Sequence, residues 1–324
     1  MSKPFTSLLL LLLVAIAEAS EPVKFEKQFP EATVDMDLVQ VSEHTWYAEG
    51  AAGIATENQG FISNAGVVVT GDGVVVFDAL GTPALAELLV EKIRAVTDEP
   101  IRKVVVSHYH ADHIYGLQVF KRLGAEIVAP DGAQKYLDSP VAEERLDERR
   151  LSLDPWVNDD TELVRPDRYL AGTEEFTLGE VEFVIDVVGE AHSDADLTLY
   201  VKPDRVLFSG DIIFEGRIAY IGDANTKVWL QTLEQMETEE LVALIPGHGP
   251  AAQDPNAALT ATRRYLAFMR EKMGEAVDQL TPFAEAYAGV DWSEWEGMPA
   301  FEAANRRNAY AVYLSMEQEM LSGQ

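Results

Sequence analysis

Short runs of β-branched and aliphatic residues alternate along this chain with turn residues and with longer stretches of helical apolar spacing. Residues 61–63, 66–69 and 74–77 read as a strand meander, with the tight turn Gly71-Asp72-Gly73 between the last two. Thr82-Pro83 then opens a helix whose apolar positions are Leu85, Leu88, Leu89 and Ile93. A short buried strand follows at 104–106, then a helix at 114–123, a strand at 127–128 and a charged helical stretch at 131–151. The strand-rich style returns at 181–188, 197–201 and 206–208, followed by a helix at 227–236 and a strand at 241–245. Residues 256–287 and 299–321 are helical, with Tyr265, Phe268 and Met269 on one stripe. Two strand-rich halves flanked by helices predict an α/β fold, two sheets face to face with helices outside. Residues 152–168 carry little pattern and several acids, which suits a loop over a site.

The termini fit around one domain at 39–255. Lys3, the apolar run 7–17 and the small-x-small step Ala17-Glu18-Ala19 read as a signal peptide over 1–19. Residues 20–38 are an extended lead-in, and 256–324 a C-terminal helical extension packed on the same domain. The mature protein is expected to be periplasmic or secreted, with no stable membrane insertion. The chain has 55 acidic and 25 basic residues, a net charge of −30, which opposes nucleic acid as a partner. Without a cysteine, neither a disulfide nor a thiolate metal ligand is available.

Chemistry concentrates in histidine. The chain has six, and three lie within Ser107-His108-Tyr109-His110-Ala111-Asp112-His113. His192 and His248 sit in short Gly-containing contexts, Gly189-Glu190-Ala191-His192 and Gly247-His248-Gly249, while His44 has no such context and reads as ordinary. Imidazole with carboxylate suits Zn²⁺. After an extended strand, His108 and His110 project to one side and can share a metal with His192. Asp112 and His113 reach a second metal, completed by His248. Asp211, beside the flexible Gly210, supplies a bridging oxygen.

The run from His108 to His113 resembles the His-x-His-x-Asp-His signature of the metallo-β-lactamase superfamily, and the later order His192, Asp211, His248 matches it too. The resemblance implies the four-layer αββα sandwich, here with extra C-terminal helices. It implies two Zn²⁺ ions per chain, on His108, His110 and His192 and on Asp112, His113 and His248, with Asp211 between them. Asp78 resembles the family's buried ligand-orienting Asp, although an acid in a helix's first turn would look the same. His110 stands where the di-iron branch has Glu, and no Lys follows Asp211 where one group of true β-lactamases grips the drug. The segments 216–225 and 305–314 resemble the exported SoxH-like, or quinoprotein-relay-system, zinc metallohydrolases.

The resemblance implies a hydrolase of a small-molecule ester, thioester, lactone or amide-type bond, with Asp112 and Asp211 holding the attacking water and moving its proton. β-Lactam hydrolysis is one alternative. A non-catalytic metal-binding helper of an exported redox system is another, with a periplasmic redox protein as candidate partner. Tyr109 is expected to point away from the metals and Trp292 and Trp295 to pack the C-terminal helices. Tyr220, Asn225 and Lys227 are candidates to line the pocket, with a helix N-cap at Asn225 as the other reading. Arg263, Arg264 and Arg270 are candidates for a cationic grip on substrate.

Overall fold

A computed structural model of the protein describes residues 25–222, 224–236, 238 and 240–322; the expected signal peptide lies outside them. The first sheet has seven strands in chain order: β1 (Leu38–Gln40), β2 (Thr45–Ala48), β3 (Ala65–Val69), β4 (Val74–Phe77), β5 (Ile101–Val105), β6 (Glu126–Pro130) and β7 (Arg168–Leu170). It is antiparallel as far as β4 and parallel beyond it. The second sheet comprises β8 (Glu174–Leu178), β9 (Val181–Gly189), β10 (Asp196–Val201), β11 (Val206–Phe214) and β12 (Ala243–His248), antiparallel except for the parallel β11–β12 pair.

The continuous apolar strands have a direct cause. In β4, Val75 and Phe77 face the second sheet while Val74 and Val76 face the outer helices, so both faces are buried. Between the sheets, Phe77 stacks on Phe208 at 5.2 Å. Outside the first sheet lie α1 (Pro83–Val96), α2 (Ala111–Ile114), α3 (Leu117–Arg122), α4 (Gly132–Leu137) and α5 (Pro140–Ser152). Outside the second lie α6 (Thr226–Gln235), α7 (Pro255–Asp278), α8 (Phe283–Gly289) and α9 (Phe301–Ser322). The result is a four-layer αββα sandwich with extra C-terminal helices. Among the described residues no helix is long and apolar enough to cross a membrane.

Several expectations from the pattern are corrected. Residues 61–63 are not a strand, because their polar groups turn to other partners: Phe61 O accepts from Ala51, Ile62 O faces His248 Nδ1, and Ser63 Oγ donates to Asp112 O. The helix expected at 114–123 divides into α2 and α3. Ala79 N–H takes the carbonyl of His113, and a Cβ on Gly116 would sit 2.0 Å from Ala79 O, so backbone passes where only glycine fits. Pro140 divides 131–151, and Pro282, just after Leu280 at φ 56°, divides 256–287. Residues 152–168 are tied to the first sheet's outer core rather than laid over the site. Leu153 and Val157 are buried there, Gln118 bonds Asp160 O and Glu162 N, and of this stretch only Ser152 borders the cleft described below.

Candidate metal centre

The expected ligands converge where both sheets open at one end of the sandwich. His108 and His110 follow β5, and Asp112 and His113 lie on the single turn of α2. His192 is in the β9–β10 loop, and His248 ends β12. Asp211 lies inside β11, not beyond a strand that ends at 208, and the β11–β12 register slips on either side of the neighbouring Gly210. Gly210 (φ +51°) and Gly247 allow this. A Cβ on Gly247 would fall 1.9 Å from Asp211 Oδ1.

His110 Nδ1 lies 3.0 Å from both His108 Nε2 and His192 Nε2. One ring nitrogen has a single proton or lone pair, so it cannot serve both neighbours in good geometry. A cation at their common point would accept all three lone pairs, and zinc–nitrogen bonds of about 2.0–2.1 Å place tetrahedral ligands at roughly this spacing. Asp211 faces the first group and the second alike. Its Oδ2 is 3.3 Å from His192 Nε2 and 3.2 Å from His248 Nε2, and its Oδ1 is 3.3 Å from His113 Nε2. Asp112 Oδ2 lies 3.3 Å from His248 Nε2 and 3.6 Å from His113 Nε2. His113 Nε2 and Asp211 Oδ1 are buried without a hydrogen-bond partner. These side chains form three groups suited to holding a metal: His108, His110 and His192; His108, His113 and Asp211; and Asp112, His113 and His248.

A second layer aims the ligands. Asp78, 1% exposed, accepts from Ser107 N–H at 2.7 Å and Ser107 Oγ at 2.8 Å, and lies 2.8 Å from His113 Nδ1. Ser107 Oγ is in turn 2.9 Å from His108 Nδ1. Asp78 is therefore an orienting acid, and the N-cap of α1 is Thr82, which accepts from Leu85 N–H. His248 Nδ1 meets Ile62 O at 2.6 Å and its ring stacks on Phe214, while His192 packs edge-on against buried Trp229. Asn64 ties down the His248 loop, donating to Pro246 O and Gly249 O and accepting from Gly50 N–H. The sequence carries no signal for Asn64, since nothing near it in the chain is its partner.

Electrostatics prepares the ligands differently. Burial, reinforced by the neighbouring imidazoles, holds His108 well below its ordinary value. Burial also lowers His110 and pushes His192 down to about 3, so these rings offer free lone pairs at neutral pH. Burial opposes ionisation of Asp112 and Asp211, but the charges of His113 and His248 outweigh it and keep both ionised. Burial likewise opposes a proton on His113 and His248, yet the facing carboxylates raise both. A bound cation would replace those protons and release them.

The centre lies in a cleft of about 1210 Å³. His110, Asp112, His192, Asp211 and His248 border it, together with Tyr220, Arg217 and residues of α9. Tyr109 borders it too, but its hydroxyl turns away to Val164 O. Asn225 caps α6 and accepts from Val228 N–H; neither it nor Lys227 lines the cleft. Trp295 packs on Tyr265 and Trp292 on Tyr287. Arg264 pairs with Glu294 and Arg270 with Glu319, and neither they nor Arg263 reach the cleft. The arginines that do border it from this half of the chain are Arg217, Arg306 and Arg307, which the sequence did not single out as a grip.

A family model described as the metallo-β-lactamase superfamily matches residues 58–248. The chain is 23% identical over 193 residues to metallo-β-lactamase IND-1 of Chryseobacterium indologenes, covering 58% of this chain and 72% of the relative. It is 25% identical over 200 residues to a type 2 metallo-β-lactamase of Elizabethkingia meningoseptica, covering 58% and 69%. Among solved structures, a metallo-β-lactamase from Pontibacter korlensis superposes with a TM-score of 0.57 at 19% identity, over 72% of this chain and 99% of that one. The sec-alkylsulfatase Pisa1 from Pseudomonas sp. superposes with a TM-score of 0.65 at 18% identity, over 86% of this chain and 50% of that one. With the fold and the His/Asp groups, the match over 58–248 establishes that this chain belongs to the metallo-β-lactamase superfamily, whose members are generally hydrolytic metalloenzymes.

Proposed function

We propose that this chain is an exported binuclear zinc hydrolase that cleaves a small-molecule ester, thioester, lactone or amide-type bond. The observation that carries the proposal is the convergence of seven side chains, five of them bordering one cleft, with His113 Nε2 and Asp211 Oδ1 buried and unpartnered. His108, His110 and His192 would hold one ion, Asp112, His113 and His248 the other, and Asp211 would face both. Zinc supplies Lewis acidity and brings the pKa of water towards neutrality.

The chain's own residues do the rest. Asp78 and Ser107 fix the rings of His113 and His108, so the floor is preorganised. Asp112, with 20% of its side chain exposed, is the more open of the two carboxylates at the cleft and can take the proton of the attacking water. The water oxygen bonds to the acyl carbon, the acyl–heteroatom bond breaks, and Asp112 returns the proton to the leaving heteroatom. Asp211, 3% exposed, holds the water from the other side.

Export is supported by the N-terminal pattern over 1–19, and the SoxH-like subgroup by the segments 216–225 and 305–314. In that subgroup a periplasmic redox protein is the candidate partner. β-Lactam hydrolysis is a second reading, favoured by the names of the two curated relatives. Against it, Ile212, Ile213 and Phe214 follow Asp211 and are buried in the core, leaving no Lys there to grip a drug carboxylate. Turnover of nitrocefin, a lactone, a thioester and a nitrophenyl ester, before and after chelation, tests both. Chelator-sensitive turnover of the acyl substrates over nitrocefin is expected. Efficient turnover of nitrocefin alone would favour the second reading, and chelator-insensitive turnover would overturn the first.

A further inference from the structure

The family match ends at residue 248, yet one wall of the cleft comes from beyond it, from Phe283 at the start of α8 and from Arg306, Arg307 and Tyr310 on α9. This wall is firmly attached. Asn308 accepts from Ile221 N–H and donates to Ala219 O and to the Tyr265 hydroxyl, and Ile218 N–H donates to Pro299 O. The same bonds fix the 217–221 loop, which carries Arg217 and Tyr220 into the cleft.

The charge of the cleft reverses that of the chain. Overall, acids outnumber bases 55 to 25. Around the cleft, six cationic side chains stand against three acids once the metal ligands Asp112 and Asp211 are set aside. Two of the six are paired, Lys135 with Asp194 at 2.9 Å and Arg145 with Glu148 at 3.2 Å. Arg149, Arg217, Arg306 and Arg307 have no carboxylate within ion-pair distance among the described residues, and Glu302 is the acid left to face them. Arg217 is half-buried with its Nη1 fully enclosed and without a hydrogen-bond partner. It borders the same cleft as Asp112, Asp211 and His248. A buried guanidinium nitrogen left unpaired is costly, and an oxyanion of a ligand would satisfy it. The rim is apolar as well. Ile54, Val141, Tyr220 and Tyr310, each 41–51% exposed, all border the cleft. Arg306 itself lies over the rings of Phe283 and Tyr287 at 5.4 and 5.0 Å.

We infer that the substrate is an amphipathic organic anion, whose carboxylate is taken by Arg217 and drawn in by Arg306 and Arg307, and whose apolar body rests on Ile54, Val141, Tyr220 and Tyr310. The inference rests on the hydrolase reading for its word substrate, but the anion site can be tested without turnover.

The probes are octanoate and its neutral counterpart octanamide, titrated calorimetrically into the zinc-loaded full-length mature protein. Octanoate should bind at least about tenfold more tightly, and Arg217→Gln should remove that preference. Because Arg217→Gln alters a half-buried position, its fold is checked by circular dichroism, and an Arg306→Gln/Arg307→Gln double variant on exposed positions is titrated alongside. The double variant should weaken octanoate several-fold and leave octanamide unchanged. A preference that survives in both variants would put the carboxylate on the metal ions and overturn the inference, as would equal binding of the two probes by the wild type. Octanoate preference without hydrolysis of any anionic acyl ester would sink the hydrolase reading alone. Hydrolysis of neutral and anionic esters at equal efficiency would sink the anion site alone.

Discussion

Two buried aspartates are built almost alike. Asp78 accepts from the backbone and hydroxyl of Ser107 and lies against His113. Asp204 accepts from the hydroxyls of Ser42 and Thr45 and from His44 N–H, and lies 2.7 Å from His44 Nδ1. The difference is what the second histidine nitrogen meets. His113 Nε2 is buried and faces Asp211 and Asp112, while His44 Nε2 looks out towards exposed Glu180 at 3.6 Å. A buried His–Asp pair is thus no sign of a metal. The sign is several buried histidines, held by different partners, aiming their remaining nitrogens at one point. Asp204 is a clasp between the β1–β2 and β10–β11 turns; Asp78 is the footing of the candidate metal centre.

The largest effect should come from Asp78→Ala, which strands Ser107 and His113 in the core. A loss of about 3–5 kcal/mol is expected by analogy with a broken buried pair, with metal affinity down roughly 10–100-fold. Urea unfolding and zinc titration would show both. Asp204→Ala should cost less, about 2–3 kcal/mol for the stranded hydroxyls and amide, and should leave zinc content unchanged. Metal loss in Asp204→Ala would break the comparison.

The clasp should also carry a pH signature. Burial opposes a proton on His44, but Asp204, Glu43 and Glu180 raise its pKa above the ordinary 6.5. Burial opposes charge on Asp204, but its hydrogen bonds from His44, Ser42 and Thr45 lower it below 3.8. The His44 contribution is full below 6.5 and fades as pH rises through its folded value; that of Asp204 is full above 3.8 and fades as pH falls through its folded value. The pair therefore stabilises most between these two values. His44→Gln should lower the midpoint of unfolding in that window and approach the wild type at higher pH. A constant offset from pH 4 to pH 9 would contradict an ionic clasp. The smallest effects should be those of single hydroxyls. Ser107→Ala and Thr45→Val should each cost about 1 kcal/mol, and of the two, only Ser107→Ala should weaken zinc, read by competition with a chelating dye.

The candidate ligand cluster was legible because its residue types and spacing are local: four of the seven fall within His108–His113. Asp78 was half-legible, since an acid after an apolar strand fits two roles and only its contact with Ser107 and His113 decides between them. Helix breaks at Gly116 and Leu280 were not, because apolar periodicity continues across them while the cause, a carbonyl of Ala79 or a left-handed backbone, is tertiary or conformational. The arginine wall was missed for a similar reason. Arg306 and Arg307 look like the solvated face of a helix until Asn308 fixes α9 against the 217–221 loop, whereas Arg264 and Arg270, read as a grip, pair with Glu294 and Glu319.

The central claim is that the converging nitrogens and carboxylates are a two-metal site. Its most direct test is zinc per chain, by inductively coupled plasma mass spectrometry, after loading and desalting the wild type, Asp211→Ala and Asp204→Ala. Two zincs in the wild type and in Asp204→Ala, with at most one in Asp211→Ala, is the predicted result. No retained metal in the wild type, or two in Asp211→Ala, would contradict it.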